Sequence, residues 1–185
     1  MACVACGGGI APKSGICADC TVPYVRGWCV APRQEQLEAL IDAYKFGNAR
    51  SAYVPLASLL DVRLPELPAD VRVVPVPTVS GHVRQRGYDH MLLITKRFAK
   101  LRGLPLDTAL DRRTATRQRG AGKRQRTEQA KRAFVLQGTL DPDATYLLVD
   151  DVVTTGATMK YAAKTLRDAG AQTVWVASIS YQLLD

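Results

Sequence analysis

The sequence predicts an α/β fold, a mostly parallel sheet with flanking helices, and three observations lead to it. Tyr146-Leu147-Leu148-Val149 is a short, continuous apolar run of the kind that forms a strand buried on both faces. From residue 71 onward such runs alternate with stretches of helical periodicity, which implies parallel pairing with helices on the faces of the sheet. A Thr-Thr-Gly turn follows the apolar run and opens a helical pattern, and in open α/β sheets the ligand crevice lies at that end of the strands.

The elements can be justified in order. Over Gln36–Phe46 the residues Leu37, Leu40, Ile41 and Tyr44 share one helical stripe, and a second apolar pattern covers 52–60. Pro65 and Pro68 mark a linker. A strand is expected over Val71–Val74, then a helix over Tyr88–Leu101 with Asp89 as its cap and Gly103 as its stop. Strands follow over Ala133–Leu136 and Tyr146–Val149, a helix from Ala157 to Ala169 closed by Gly170, and a last strand over Thr173–Ile179. Three units are expected: a cysteine-bearing knuckle over 1–30, a helical segment or hood over 31–68, and the α/β domain over 69–185.

The end of the buried run reads as a site for a sugar phosphate. Thr154, Thr155, Gly156, Ala157 and Thr158 offer backbone N–H groups, hydroxyls and the positive end of a helix dipole, which together suit a phosphate. Asp150 and Asp151 accept hydrogen bonds only, so they must face something other than that phosphate: ribose hydroxyls, or a Mg²⁺ ion bridging ribose and phosphates. Removing both charges is expected to spare folding, because it relieves like-charge repulsion. An Asp-Asp strand end also occurs in P-loop ATPases, but no Gly-x-x-x-x-Gly-Lys-Ser/Thr precedes it. A phosphate-accepting receiver domain would carry its acidic pair near its start, and here it lies in the last fifth of the chain.

Cys3-x-x-Cys6 and Cys17-x-x-Cys20 flank a loop containing Gly7-Gly8-Gly9 and Gly15, a spacing that lets four thiolates converge on one tetrahedral zinc. The alternatives are a disulfide pair or buried thiols that happen to lie close together. No basic start and apolar core mark a signal peptide, so a cytoplasmic chain is expected, where disulfides are rare. Cys29 lies outside the repeat and reads as a small core residue. No apolar run approaches the roughly 20 residues of a membrane span.

The net charge of +8 belongs to one segment. Between Arg112 and Arg132 there are nine Lys or Arg and one acid, Glu128, while the remaining residues hold sixteen basic and sixteen acidic groups. Three readings stay open: a cationic lid over a phosphorylated ligand, a grip on nucleic acid, or a solvated surface. Aromatic residues on which single strands stack are missing from it, Phe134 standing only at its end.

The strand, acidic pair and Thr/Gly turn resemble the phosphoribosyl-pyrophosphate (PRPP) motif of type I phosphoribosyltransferases. By that resemblance Asp150 and Asp151 meet the ribose hydroxyls and Thr154 to Thr158 cradle the 5′-phosphate. The four cysteines, Ala43-Tyr44-Lys45-Phe46-x-Gly, Val74-Pro75-Val76-Pro77, Arg84-x-Arg86-Gly87-Tyr88, and Gln118 with Arg126 and Ala133-Phe134 resemble the ComF family over essentially the whole chain. That resemblance implies a PRPP- and Mg²⁺-binding protein with structural zinc, linked to natural competence and DNA uptake. It implies a pyrophosphate loop and lid drawing on Pro77, Thr78, Arg84, Arg86, Lys123 and Arg124, an unidentified acceptor if transfer occurs, and single-stranded DNA or a competence helicase as possible partners. Asp89-His90 stands where Asn-Gln is common in the family. His82 and His90 are read as surface or helix-start residues. Purine-salvage enzymes of similar sequence carry an Asp where Thr154 stands, so Thr154 implies an acceptor of another kind, or none.

Overall fold

In the computed structural model, residues 3–5, 14–113 and 133–182 are described. Four strands form one parallel sheet: β1 (Arg26–Pro32), β2 (Val71–Pro75), β5 (Thr145–Val153) and β6 (Thr173–Tyr181), in the order β1-β6-β5-β2. Two short strands, β3 (Leu110–Arg112) and β4 (Phe134–Leu136), pair antiparallel beside it. The helices are α1 (Glu35–Phe46), α2 (Tyr53–Arg63), α3 (Ser80–Arg86), α4 (His90–Arg102) and α5 (Ala157–Asp168).

The central strand explains the two-sided core. Alternate residues of a strand point to opposite faces. On β5, Tyr146 and Leu148 pack with Met159, Ala162, Ala163 and Leu166 of α5, while Leu147 and Val149 pack with Ile41 and Tyr44 of α1, Leu56 and Leu60 of α2, and Ile94 and Phe98 of α4. The α5 stripe follows the i, i+3, i+4, i+7 spacing of one helical face. Leu166 is 1% exposed, so Leu166→Ala should cost about 2–5 kcal/mol.

Capping follows the sequence closely. The Asp89 carboxylate accepts from the N–H groups of Met91 (2.9 Å) and Leu92 (3.1 Å) and starts α4. Gly103, at φ +63°, ends it, a left-handed conformation that costs glycine little.

Four elements differ from the sequence reading, one of them β3, which pairs with β4 where no strand was expected. β1 was not anticipated; it crosses residue 30, where the first two units were divided, and hydrogen-bonds along β6. Its polar ends and Gly27 hide the pattern of a buried strand. α3 occupies what reads as a basic turn and buries none of its residues, so it has no apolar stripe to reveal it. β5 runs four residues past Val149, because β6 continues to pair with it through Val153 opposite Tyr181. The acidic pair therefore stands within the last turn of the ladder rather than after it.

Candidate functional site

Asp150 and Asp151 sit at the carboxyl end of β5, and the turn that follows carries Thr154 and Thr155 exposed into α5. Gly156 is the N-cap of α5 at φ +68°, and no side chain caps the first turn. The amide N–H groups of that turn therefore point, with the positive helix end, at a small hollow of about 30 Å³ lined by Asp150 and the residues from Val152 to Met159. Such a hollow suits an anionic group.

Beside it lies a cleft of about 350 Å³. Pro77 and Thr78, Lys45 from the last turn of α1, Arg86 and His90, Arg112 of β3 and both acidic residues line it. The two carboxylates have different environments. The Asp151 Oδ2 atom takes Lys45 Nζ at 2.7 Å and His90 Nε2 at 2.6 Å. Burial works to raise the Asp151 carboxyl, but the His90 hydrogen bond and the Lys45 ammonium outweigh it and hold the group down, at about 2. Asp150 is pushed up to about 7, first by burial and then by the Asp151 charge beside it, against the opposing pull of its bond from the Asp151 N–H, Lys45 and Arg112. Two adjacent carboxylates thus divide into one locked in ion pairs and one poised to exchange its proton for a better partner.

His90 is held on both ring nitrogens. Its Nδ1 lies 2.9 Å from Thr78 Oγ1 and 2.9 Å from an Arg86 terminal nitrogen, while Nε2 meets Asp151. The Thr78 hydroxyl also donates to Asp89 Oδ1 at 2.9 Å, so the ring is clamped between Thr78 and Arg86 on one side and the Asp151 carboxylate, an acceptor for Nε2, on the other. His90 is the first residue of α4, as read from sequence, but it is buried, so it is not a surface group. Lys45, His82, His90 and Arg112 are polar site-lining residues to which sequence reasoning gave no role in the site. The signal was present for two of them: Lys45 stands in the Ala43–Phe46 segment, and His90 follows a capping Asp.

Of the residues expected from sequence, Asp150, Asp151, Pro77, Thr78, Arg86 and Thr158 line the cleft together. Thr154, Thr155, Gly156 and Ala157 line the adjoining hollow. Arg84 does not line the cleft; it lines an adjoining outer cavity with Phe46 and Asn48. Lys123 and Arg124 lie outside the described residues, as does Cys6.

The described cysteines converge. The Sγ atoms of Cys3, Cys17 and Cys20 lie within 4.8 Å of one another, in a group able to hold a metal ion. Cys3–Cys20 is 4.0 Å and Cys17–Cys20 is 3.4 Å, close to the ~3.8 Å edge of a tetrahedral Zn–S₄ site with bonds of about 2.3 Å. The N–H groups of Ala5 (3.4 Å) and Cys17 (3.2 Å) point at the Cys3 sulfur, which suits a thiolate. Cys29 is a buried core residue of β1, with its thiol pushed up to about 12, chiefly by burial.

Among the described residues no helix is long and apolar enough to cross a membrane.

The family model for the phosphoribosyl transferase domain matches residues 93–182, which include the acidic pair and the turn. The chain is 31% identical over 152 residues to competence protein F of Haemophilus influenzae, a match that covers 77% of this chain and 66% of that protein. It is 32% identical over 171 residues to DNA utilization protein YhgH of Salmonella typhi, covering 88% of this chain and 74% of that one. The chain therefore spans about two thirds of the first relative and about three quarters of the second. Among solved structures it is similar to phosphoribosylpyrophosphate synthetase from Mycobacterium smegmatis, at 21% identity and a TM-score of 0.38 over 75% of this chain and 33% of that one. It is also similar to purine phosphoribosyltransferase from Pyrococcus horikoshii, at 18% identity and a TM-score of 0.42 over 75% and 83%. The phosphoribosyl transferase match, together with the similarity to competence protein F and DNA utilization protein YhgH, means that the chain belongs to the ComF family of type I phosphoribosyltransferase-like proteins.

Proposed function

We propose that this chain binds PRPP with Mg²⁺ and passes its phosphoribosyl group to an acceptor, in a cytoplasmic role tied to natural competence and DNA uptake. The observation that carries the reading is the acidic pair leading into an anion-suited hollow at a helix opened by Gly156. Thr154, Thr155, Gly156, Ala157 and Thr158 would hold the 5′-phosphate through backbone N–H groups and hydroxyls. Asp150 would accept from the ribose hydroxyls, with Asp151 kept in place by Lys45 and His90.

Asp150 also has the chemistry to hold Mg²⁺, since its Oδ1 meets only the Asp151 N–H at 2.9 Å. When bound, that ion supplies positive charge against the pyrophosphate. Pro77 and Thr78 form the pyrophosphate loop. Lys45, Arg86 and Arg112 line the cleft where negative charge grows as pyrophosphate leaves, and preorganised cations there favour a transition state with ribosyl-cation character. Lys123 and Arg124 would close as a lid over the leaving group. Zinc would sit on Cys3, Cys6, Cys17 and Cys20, in a knuckle over 1–30 beside the hood over 31–68 and the phosphoribosyltransferase-like unit over 69–185.

A second reading is a non-catalytic PRPP sensor that holds single-stranded DNA or a competence helicase through its basic segment. The names of the relatives, a competence protein and a DNA utilization protein, favour it, as does a charge of +8 confined to one stretch. Release of pyrophosphate from PRPP with Mg²⁺ separates the two. Turnover with any acceptor supports transfer; saturable binding without release, under all acceptors, supports the sensor.

A further inference from the structure

An outer cavity of about 540 Å³ adjoins the cleft of the acidic pair and shares Lys45, Phe46, His82 and Arg86 with it. Its volume is that of a small-molecule site. Arg84, Asn48, Gln85 and Gly87 complete the wall, and no carboxylate lines it. Among the described residues the side chains of Arg84 and His82 are exposed and make no hydrogen bond or ion pair.

Phe46 gives this cavity a flat apolar surface. At 79% exposure it is the most exposed large apolar side chain among the described residues, and the one aromatic in that group. It is not loose. The Lys45 carbonyl accepts from Arg86 Nε at 2.6 Å, the Tyr44 carbonyl accepts from the Tyr88 hydroxyl at 2.5 Å, and the Tyr44 hydroxyl donates to the His90 carbonyl at 2.9 Å. Immediately after it the chain turns through Gly47 into Asn48 at φ +55°. The backbone that carries the ring is thus held by its neighbours, and with the Arg86 guanidinium 6.0 Å from its centre the exposed ring offers a face for stacking.

We propose that this cavity is the acceptor site and that it takes a planar aromatic acid, its ring on Phe46 and its carboxylate on Arg84. The proposal rests on the PRPP reading for the cleft next to it. A neutral nucleobase can hydrogen-bond with this lining but carries no charge to match its cations, so its contacts are the weaker, neutral kind. An anion meets three cationic side chains and no repelling carboxylate, and an Arg fork binds a carboxylate in two bonds. Lys45 and Arg86 sit on the shared wall, so an acceptor held there faces the sugar. In the transfer, a lone pair on an acceptor nitrogen or oxygen forms the bond to the anomeric carbon. The bond from that carbon to the pyrophosphate oxygen breaks, its electron pair leaving on pyrophosphate; an N–H acceptor such as orotate then loses that proton to water, whereas a pyridine nitrogen such as that of nicotinate has none to lose and becomes a pyridinium.

The test uses the full chain and matched probes: nicotinate against nicotinamide, and orotate against uracil, by saturation-transfer NMR and calorimetry without PRPP. Each acid should bind at least about tenfold more tightly than its neutral partner, as a charge-assisted bond requires. Phe46→Ala and Arg84→Ala should each lower acid binding by a similar factor, and both side chains are exposed, so the fold should survive. Acid and neutral partners binding alike, neither acid binding, or Phe46→Ala leaving acid affinity unchanged would overturn the proposal. So would oligothymidylate bound through Phe46 with the acids excluded, which would assign the platform to nucleic acid. Ribose 5-phosphate is titrated separately. If it fails while the acids bind, the PRPP reading falls and the aromatic-acid site stands; if it binds and the acids fail, the acceptor site alone falls.

Discussion

The Ala5 carbonyl oxygen lies against Gly156 so closely that a Cβ added there would come within 1.9 Å of it. Ala5 is two residues from Cys3, and Gly156 opens α5 above the candidate phosphate hollow. The same segment is wedged from the other side: Val4 donates to the Gly15 carbonyl at 2.9 Å, and its side chain fills the space where Gly27 lacks one. Cys3 and Val4 are fully buried in the core shared with α5. The cysteine cluster and the turn are thus packed as one body.

Gly156→Ala should be doubly unfavourable, since it places a side chain at φ +68° and drives it into a backbone carbonyl. We expect a loss of more than about 1 kcal/mol in urea unfolding together with weakened ribose 5-phosphate binding. An alanine variant with wild-type stability would show that the two segments part easily.

Stripping metal from the cysteine cluster should reach the turn. Zinc-depleted protein, or Cys17→Ser, is expected to bind ribose 5-phosphate more weakly, and by reciprocity ribose 5-phosphate should slow zinc release to a colorimetric chelator. Equal release rates with and without the sugar phosphate would mean that the contact carries no coupling.

The two carboxylates should separate on mutation. Asp151→Asn leaves Lys45 and His90 facing an uncharged amide in a mostly buried site, and should cost about 3 kcal/mol of stability. Asp150→Asn removes a carboxylate that burial and Asp151 already disfavour, so stability should hold or rise while PRPP affinity falls. Urea unfolding at neutral pH of both variants distinguishes them; equal losses would contradict the division.

The pH dependence follows from the same pair. The Asp150 carboxyl is raised in the fold from 3.8 to about 7, so its contribution is fully present below the unfolded value and is lost as pH rises through about 7. The Asp151 carboxyl is lowered from 3.8 to about 2, so its contribution is present above 3.8 and is lost as pH falls toward 2. Ligand-free protein should therefore lose stability between about pH 4 and 7, and Asp150→Asn should flatten that slope. Because a sugar hydroxyl needs the carboxylate, PRPP affinity should rise from about pH 6 to pH 8 with proton release. A flat thermal midpoint across that range in wild type would contradict the assignment.

The strand, turn and helix around Asp150 were legible because each uses a local signal: an apolar run, a glycine, a helical stripe. The caps at Asp89 and Gly103 were legible for the same reason. What sequence left dark depends on distant contacts. The pairing of Lys45 and His90 with Asp151 joins residues 106 and 61 positions apart, and no local pattern encodes it. The expectation that losing both acidic charges relieves repulsion and spares folding took no account of those contacts: loss of the Asp151 charge would strand Lys45 and His90. β1 was missed because the strand it pairs with, β6, lies far along the chain, and Arg84 was grouped with Arg86 because sequence proximity does not show that Arg86 lines both the cleft and the outer cavity while Arg84 lines the outer cavity alone.

Calorimetric titration of the full chain with PRPP and Mg²⁺, wild type beside Asp150→Asn, tests the central claim most directly. The account predicts saturable binding at one site, weakened by at least about tenfold in the variant, as loss of a charge-assisted contact requires. Absence of saturable heat in wild type, or equal affinity in the two proteins, would contradict it.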